Sequence, residues 1–175
     1  MKKFSAREIA LSALACAIAT IFLTVGVYSD VFVFTGYMLG CIALMLPLCM
    51  GSYRGYLLSY VSTCLLSLLF GSFRFWDIFP FILFFGLHPI VNEFQIKKRI
   101  NPFVAFAVKA LWFDASIYIT WKFIFAITTE IAFIDSYILP IILVVGTVFF
   151  IAYDYVAFRA RAMVNLLVKR INRKK

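Results

Sequence analysis

The residues with the chemistry to do work are ionisable side chains set in stretches too apolar for water: His88, Lys109, Asp114, Lys122 and Asp154. A charge at the centre of a membrane helix costs roughly 2.5–3.5 kcal/mol on the insertion scale, so one kept there needs a partner, a proton or a polar cavity. Asp114 is the deepest and its short side chain reaches neither interface. It is expected to face protein or an internal cavity and to be paired, hydrogen-bonded or protonated. Lys109 and Lys122 stand nearer opposite ends of the same stretch, where their stems can carry the ammonium groups outward. Asp154 lies at a depth similar to Lys109, and a structural Lys109/Asp154 pair is the alternative to that outward reach. His88 is the only histidine, within Phe84-Phe-Gly-Leu-His-Pro-Ile-Val-Asn-Glu93. A structural zinc site takes four protein ligands, so no metal is expected there. Gly86 and Pro89 instead predict close packing and a bend, with His88 or Asn92 satisfying a freed backbone carbonyl; the functional alternative is a coupling element on the cytoplasmic face.

Enzyme chemistry is not indicated. The sequence holds no Walker loop, GxSxG, HExxH or dinucleotide fingerprint, and Asp114 and His88 fall at different depths without a nucleophile–base pair. Cys16, Cys41, Cys49 and Cys64 sit in apolar stretches without CxxC spacing, which predicts small packed side chains rather than ligands or disulfides. No cofactor is expected.

The elements that must position these groups follow from hydropathy. Sixty-five per cent of the 175 residues are hydrophobic, more than a soluble domain of this length can hide, and apolar runs approach the ~20 residues that cross a hydrocarbon core. Six spans are expected near 10–28, 31–50, 56–70, 76–91, 103–127 and 137–158, followed by a basic tail, 159–175, in a single all-α membrane domain with no linker and no evident internal repeat. Basic residues precede the first span (Lys2, Lys3, Arg7) and follow the second (Arg54), the fourth (Lys97, Lys98, Arg99) and the sixth. The other connections carry Asp30, Arg74 with Asp77, and Glu130 with Asp135. That alternation places both termini in the cytoplasm. Lys2 and Lys3 before an apolar run with Ala13-Leu-Ala15-Cys16 imitate a signal peptide, but the run continues unbroken to Val27 and predicts a retained helix. The net charge of +9 is spread over all inner connections, which points to anionic lipid rather than nucleic acid. Val164, Leu167, Val168 and Ile171 at helical spacing let the tail lie on the membrane surface or extend the last span.

Two helix faces invite close packing. Ser59, Thr63 and Ser67 recur at every fourth position of the third span, with Ser62 beside them, so that helix is expected deep in the bundle; a polar substrate path is the alternative reading. In the first span Ala13/Ala17 and Ala15/Ala19 both satisfy small-xxx-small spacing, which serves either packing within the chain or docking on a separate membrane subunit.

A basic N-terminus, the alanine-rich Glu8-Ile-Ala-Leu-Ser-Ala-Leu-Ala-Cys-Ala-Ile-Ala19, six expected spans and this length together resemble the S components, the substrate-binding membrane subunits of bacterial energy-coupling factor vitamin transporters. The segment Phe84-Phe-Gly-Leu-His-Pro89 more specifically resembles small Gram-positive membrane proteins with an FFGxxP element, which look S-component-like and also resemble the cell-shape family MreD. The S-component resemblance implies a multi-pass protein of the bacterial cytoplasmic membrane that captures a small molecule, contains no ATPase and relies on a transmembrane coupling subunit with ATPases. It implies docking through Ala13 and Ala17, and a ligand pocket at the outer neighbourhood of Arg74, Trp76, Asp77, Trp121 and Lys122, where charged and stacking groups could hold a small polar aromatic molecule. Asp114 is grouped with that pocket as a candidate ligand-binding residue, and His88 and Asn92 with the cytoplasmic coupling side. The MreD resemblance implies instead a scaffold of the envelope machinery without transport.

Overall fold

The computed structural model describes residues 5–29, 31–124 and 132–173. Asp30, Glu130 and the Asp135 side chain, expected on the acidic connections, lie outside the described residues. Among the described residues the regular elements are all helical: α1 (Ala6–Tyr28), α2 (Val33–Cys49), α3 (Tyr53–Phe70), α4 (Phe75–Pro80), a first π-turn (Phe81–Phe85), α5 (His88–Lys98), α6 (Pro102–Ile124), α7 (Ala132–Ile141), a second π-turn (Ile142–Gly146) and α8 (Thr147–Arg173). Four segments are long and apolar enough to cross a membrane, namely Ala6–Tyr28, Phe75–Lys98, Pro102–Phe123 and Tyr137–Arg170; Val33–Cys49 is apolar but shorter.

Helix ends differ from the apolar spans in an instructive way. α1 starts ahead of its apolar stretch because Ser5 and Glu8 close a capping box, Ser5 N–H donating to Glu8 Oε2 (2.8 Å) and Glu8 N–H to Ser5 Oγ (3.2 Å). The helix of the fourth span continues to Lys98, and the last runs on to Arg173 as a continuous extension. Hydropathy marks where lipid ends, whereas the i→i−4 ladder can continue past that level into water.

The chain divides into two compact units, Met1–Glu93 with Ala157–Lys175, and Phe94–Val156. In the first unit α1 and α2 run against each other through glycines. A Cβ at Gly36 would stand 2.7 Å from the Phe22 carbonyl oxygen and 3.2 Å from Gly26 Cα, so this approach excludes any side chain. Leu23, Leu44, Met45, Tyr56, Ile78, Phe81, Phe84 and Phe85 are buried around that seam. α3 turns Ser59, Thr63 and Ser67 inward, while Leu57, Leu58, Val61, Leu65 and Leu69 are exposed. The expectation of a deeply enclosed third span is thereby corrected: α3 is peripheral, with its hydroxyl face in and its leucine face out. Lipid accepts leucine and not hydroxyls, so the polar face is the one that must be covered. In the second unit the Phe113 and Phe150 rings meet at a tilt, 5.6 Å apart, with Phe106 at 5.5 Å from Phe150, and form a ring cluster between α6 and α8 beside buried Ala110, Ile142 and Tyr153.

Candidate functional site

Asp114 and Asp154, both buried, belong to the second unit. Lys109, only 2% exposed, donates to Asp154 Oδ1 at 2.8 Å and Oδ2 at 2.9 Å. The lysine therefore does not reach outward; it is consumed by a buried, two-point ion pair under the Phe150 ring. A paired carboxylate at that depth replaces the water both charges have lost. Asp114 is 5% exposed and lies on α6 against the second π-turn. Thr147 Oγ1 donates to its Oδ2 at 3.1 Å, and its Oδ1 is buried with no partner among the described residues. A Cβ on Gly146 would stand 2.6 Å from that oxygen, so the glycine is what lets the carboxylate rest on the helix backbone.

Trp121 and Lys122 lie about 11–12 Å farther along α6 than Asp114, at 1.5 Å per residue. Lys122 is exposed and Trp121 half-buried, so within this unit Asp114 does not share their level. Arg74, Trp76 and Asp77 belong to the first unit and are brought together. Arg74 Nε meets Asp77 Oδ2 at 2.6 Å, and Arg74 also donates to the Val27 carbonyl at 2.9 Å. That contact caps the last turn of α1 with a cation, the favourable sign for a helix C-terminus. Trp76 packs edge-on against Phe75 (5.3 Å) and Phe79 (5.9 Å). Tyr37 donates to the Asp77 backbone carbonyl, and Tyr28 donates to the Phe70 carbonyl, so this end of the unit is tied together mainly by its own polar groups.

At the other end His88 is fully buried, its ring tilted against Phe84 (5.2 Å), with Asn92 Nδ2 at 3.4 Å from its Nδ1. Where a bend is expected the chain forms the first π-turn, in which Gly86 N–H bonds back to Phe81 O at 2.8 Å. Its carbonyls accept from two tyrosines of α3: Tyr60 to Ile82 O at 2.8 Å, and Tyr56 to Gly86 O. Neither tyrosine is singled out by sequence reasoning. Nor is Glu93, whose Oε2 accepts from Arg161 Nε at 2.9 Å and Nη2 at 2.5 Å.

One signal for the π-turns is present in the sequence. Pro80-Phe-Ile-Leu-Phe-Phe-Gly86 recurs as Pro140-Ile-Ile-Leu-Val-Val-Gly146, with proline, isoleucine, leucine and glycine at matching places. Each copy carries a π-turn directly after its proline or one residue later. The expectation of no internal repeat is corrected on this point. Proline removes one ladder donor and clashes with the carbonyl four residues back, so the regular ladder is already interrupted where each π-turn begins.

The faces of α1 are assigned by packing. Ala15 and Ala19 are buried; Ala13 and Ala17 are exposed. They line a groove between α1 and α3 of about 450 Å³, with Ser12, Ser59, Ser62 and Leu66. It continues into a second of about 510 Å³ through the shared Ala17 and Leu66. The Ser12, Thr20 and Thr24 hydroxyls in this groove are buried and have no partner among the described residues. No family model, no curated protein and no solved structure matches the chain.

Proposed function

We propose that the chain is a substrate-capture subunit of a bacterial uptake transporter, similar to S components, with six spans, both termini in the cytoplasm and no energising activity of its own. The observation that carries this reading is the α1–α3 groove. Ala13 and Ala17 face outward at membrane depth beside hydroxyls that lack partners within the chain. A surface of small residues admits the backbone of another helix, close enough for dispersion and weak backbone contacts to hold it. The ligand is a vitamin or comparably small molecule, held toward the outer ends of the helices near Arg74, Trp76 and Asp77, with Trp121 and Lys122 as the candidates of the second unit.

The test is co-expression with a transmembrane coupling subunit and its ATPases. The native chain is expected to co-purify with them, and Ala13→Trp/Ala17→Trp to lose the complex while remaining folded and monodisperse alone. A complex that survives both tryptophans removes this face as the docking surface. A panel of thiamine, riboflavin, biotin and folate, read through tryptophan fluorescence, tests ligand capture; if none perturbs Trp76 or Trp121, the vitamin reading fails.

A second reading, an MreD-like scaffold, draws support from the basic helical extension of α8, which carries Arg159, Lys169 and Arg170 besides the Arg161 that pairs with Glu93. Retained function in cells after the double tryptophan substitution, with loss on neutralising Lys169 and Arg170, would favour the scaffold.

A further inference from the structure

Of the two buried carboxylates described in the second unit, one meets a cation and the other does not. Lys109 gives its ammonium group to both oxygens of Asp154. The other lysine of α6, Lys122, is exposed and about two turns away from Asp114. Among the described side chains of this unit, the other groups that titrate on α6, α7 and the start of α8 are Tyr118, Tyr137, Tyr153 and Tyr155; the Asp135 side chain, also on α7, lies outside the described residues, and the second π-turn carries none. A bare carboxylate at this depth is not tolerated, so Asp114 is held either with a proton or with a cation.

The oxygens around Asp114 indicate which kind. Its Oδ1 is buried without a partner among the described residues. Thr147 Oγ1 lies 3.1 Å from Oδ2, longer than the roughly 2.5–2.7 Å of an O–H···O⁻ bond, so the hydroxyl does not saturate the carboxylate. A Cβ on Gly146 would stand 2.6 Å from Oδ1, so the carboxylate lies directly against the backbone of the π-turn, where the ladder departs from the regular i→i−4 pattern. A carboxylate, a hydroxyl and interrupted-helix carbonyls form an all-oxygen, hard donor set, the kind that broken membrane helices present to coupling ions. With a single carboxylate, a divalent ion would leave excess positive charge in lipid, whereas a univalent one cancels.

We propose that Asp114, Thr147 and the second π-turn form a univalent-cation site within the membrane, taking a sodium ion or a proton. The site stands on the geometry of the second unit alone and is independent of the transport reading.

Dicyclohexylcarbodiimide tests it, because it adds to a membrane-buried carboxyl only while that carboxyl carries a proton, and a bound sodium ion blocks it. The full chain in lipid nanodiscs is treated across the neutral pH range in sodium or choline chloride, and the adducts are located by peptide mass spectrometry. Asp114 is expected to be labelled and Asp154, held by Lys109, to be spared. Protection by sodium at fixed pH identifies sodium as the ligand; labelling that falls with rising pH and ignores sodium identifies the proton. Thr147→Val keeps the carboxyl and is expected to shift the half-protecting sodium concentration, or proton concentration, by about tenfold, as loss of a supporting ligand does elsewhere. Absence of labelling at Asp114 in every condition, labelling indifferent to both pH and sodium, equal labelling of Asp154, or an unshifted midpoint in folded Thr147→Val each overturns the site.

Discussion

Lys109 and Asp154 show how burial reverses the usual logic of a charged side chain. Removing one member is worse than removing both, because the survivor keeps its desolvation cost and loses its counter-charge. Lys109→Met is expected to lower unfolding stability by about 3–5 kcal/mol, and Lys109→Met/Asp154→Leu to recover most of that loss. Denaturant titration in a mixed micelle reads both, and a double variant no more stable than the single would show that the pair does not govern this region. Thr147 lies at the other extreme. A single interhelical hydrogen bond in a membrane protein averages about 0.6 kcal/mol, so Thr147→Val should leave stability nearly unchanged. A large effect of that substitution on carbodiimide midpoints would therefore not be a folding effect.

Among the elements, the two π-turns follow one recipe but meet different neighbours. A Cβ at Gly86 would stand 2.5 Å from Tyr60 Cε2, and one at Gly146 2.6 Å from Asp114 Oδ1. Gly86→Ala presses on a ring held in place by its hydrogen bond to Ile82 O, and is expected to cost about 1–3 kcal/mol through overpacking. Tyr60→Leu in the same chain should relieve part of it, as read by thermal unfolding. Tyr56→Phe leaves the Gly86 carbonyl short of its phenol donor, a loss of about 1 kcal/mol. Tyr60→Phe should cost less, since Tyr60 is half-buried and Tyr56 fully so, and water or lipid headgroups can replace the donor more easily there. Equal losses would place the two carbonyls in equivalent surroundings.

For the whole molecule the consequence is topological. The alternating charge predicts that Ser72, between α3 and α4, and Lys98, at the end of α5, lie on opposite sides of the membrane. Ser72→Cys is expected to react with an impermeant thiol reagent from outside in intact cells, and Lys98→Cys only after the membrane is opened. The native cysteines within the described helices are buried or half-buried and should contribute little background. Reaction of both positions from the same side would exclude the six-span arrangement with cytoplasmic termini. The exposed surface is consistent with lipid contact along its length: α3 presents Leu57, Val61, Leu65 and Leu69, and the second unit presents Val104, Val108 and Leu111.

Hydropathy alone was enough for an all-helical protein with several apolar helices of membrane-crossing length, because it is a local quantity that lipid thickness converts directly into helix; the helix ends, such as Lys98 and Arg173, ran past the apolar stretches and were not legible in it. Depth matching even anticipated Lys109 with Asp154, since two opposite charges at one level have few other partners. Tertiary structure alone decided which small face of α1 looks outward, because Ala13/Ala17 and Ala15/Ala19 are chemically equivalent until α2 and α3 cover one of them. It also decided that Tyr56 and Tyr60 serve the carbonyls of the first π-turn and that Arg161 serves Glu93. These partners are remote in the chain, and no periodicity links a donor to an acceptor it meets only after the helices have packed. Asp114 belongs to both: its depth was legible as a problem, and only the approach of Gly146 and Thr147 gave that problem a place where a cation could answer it.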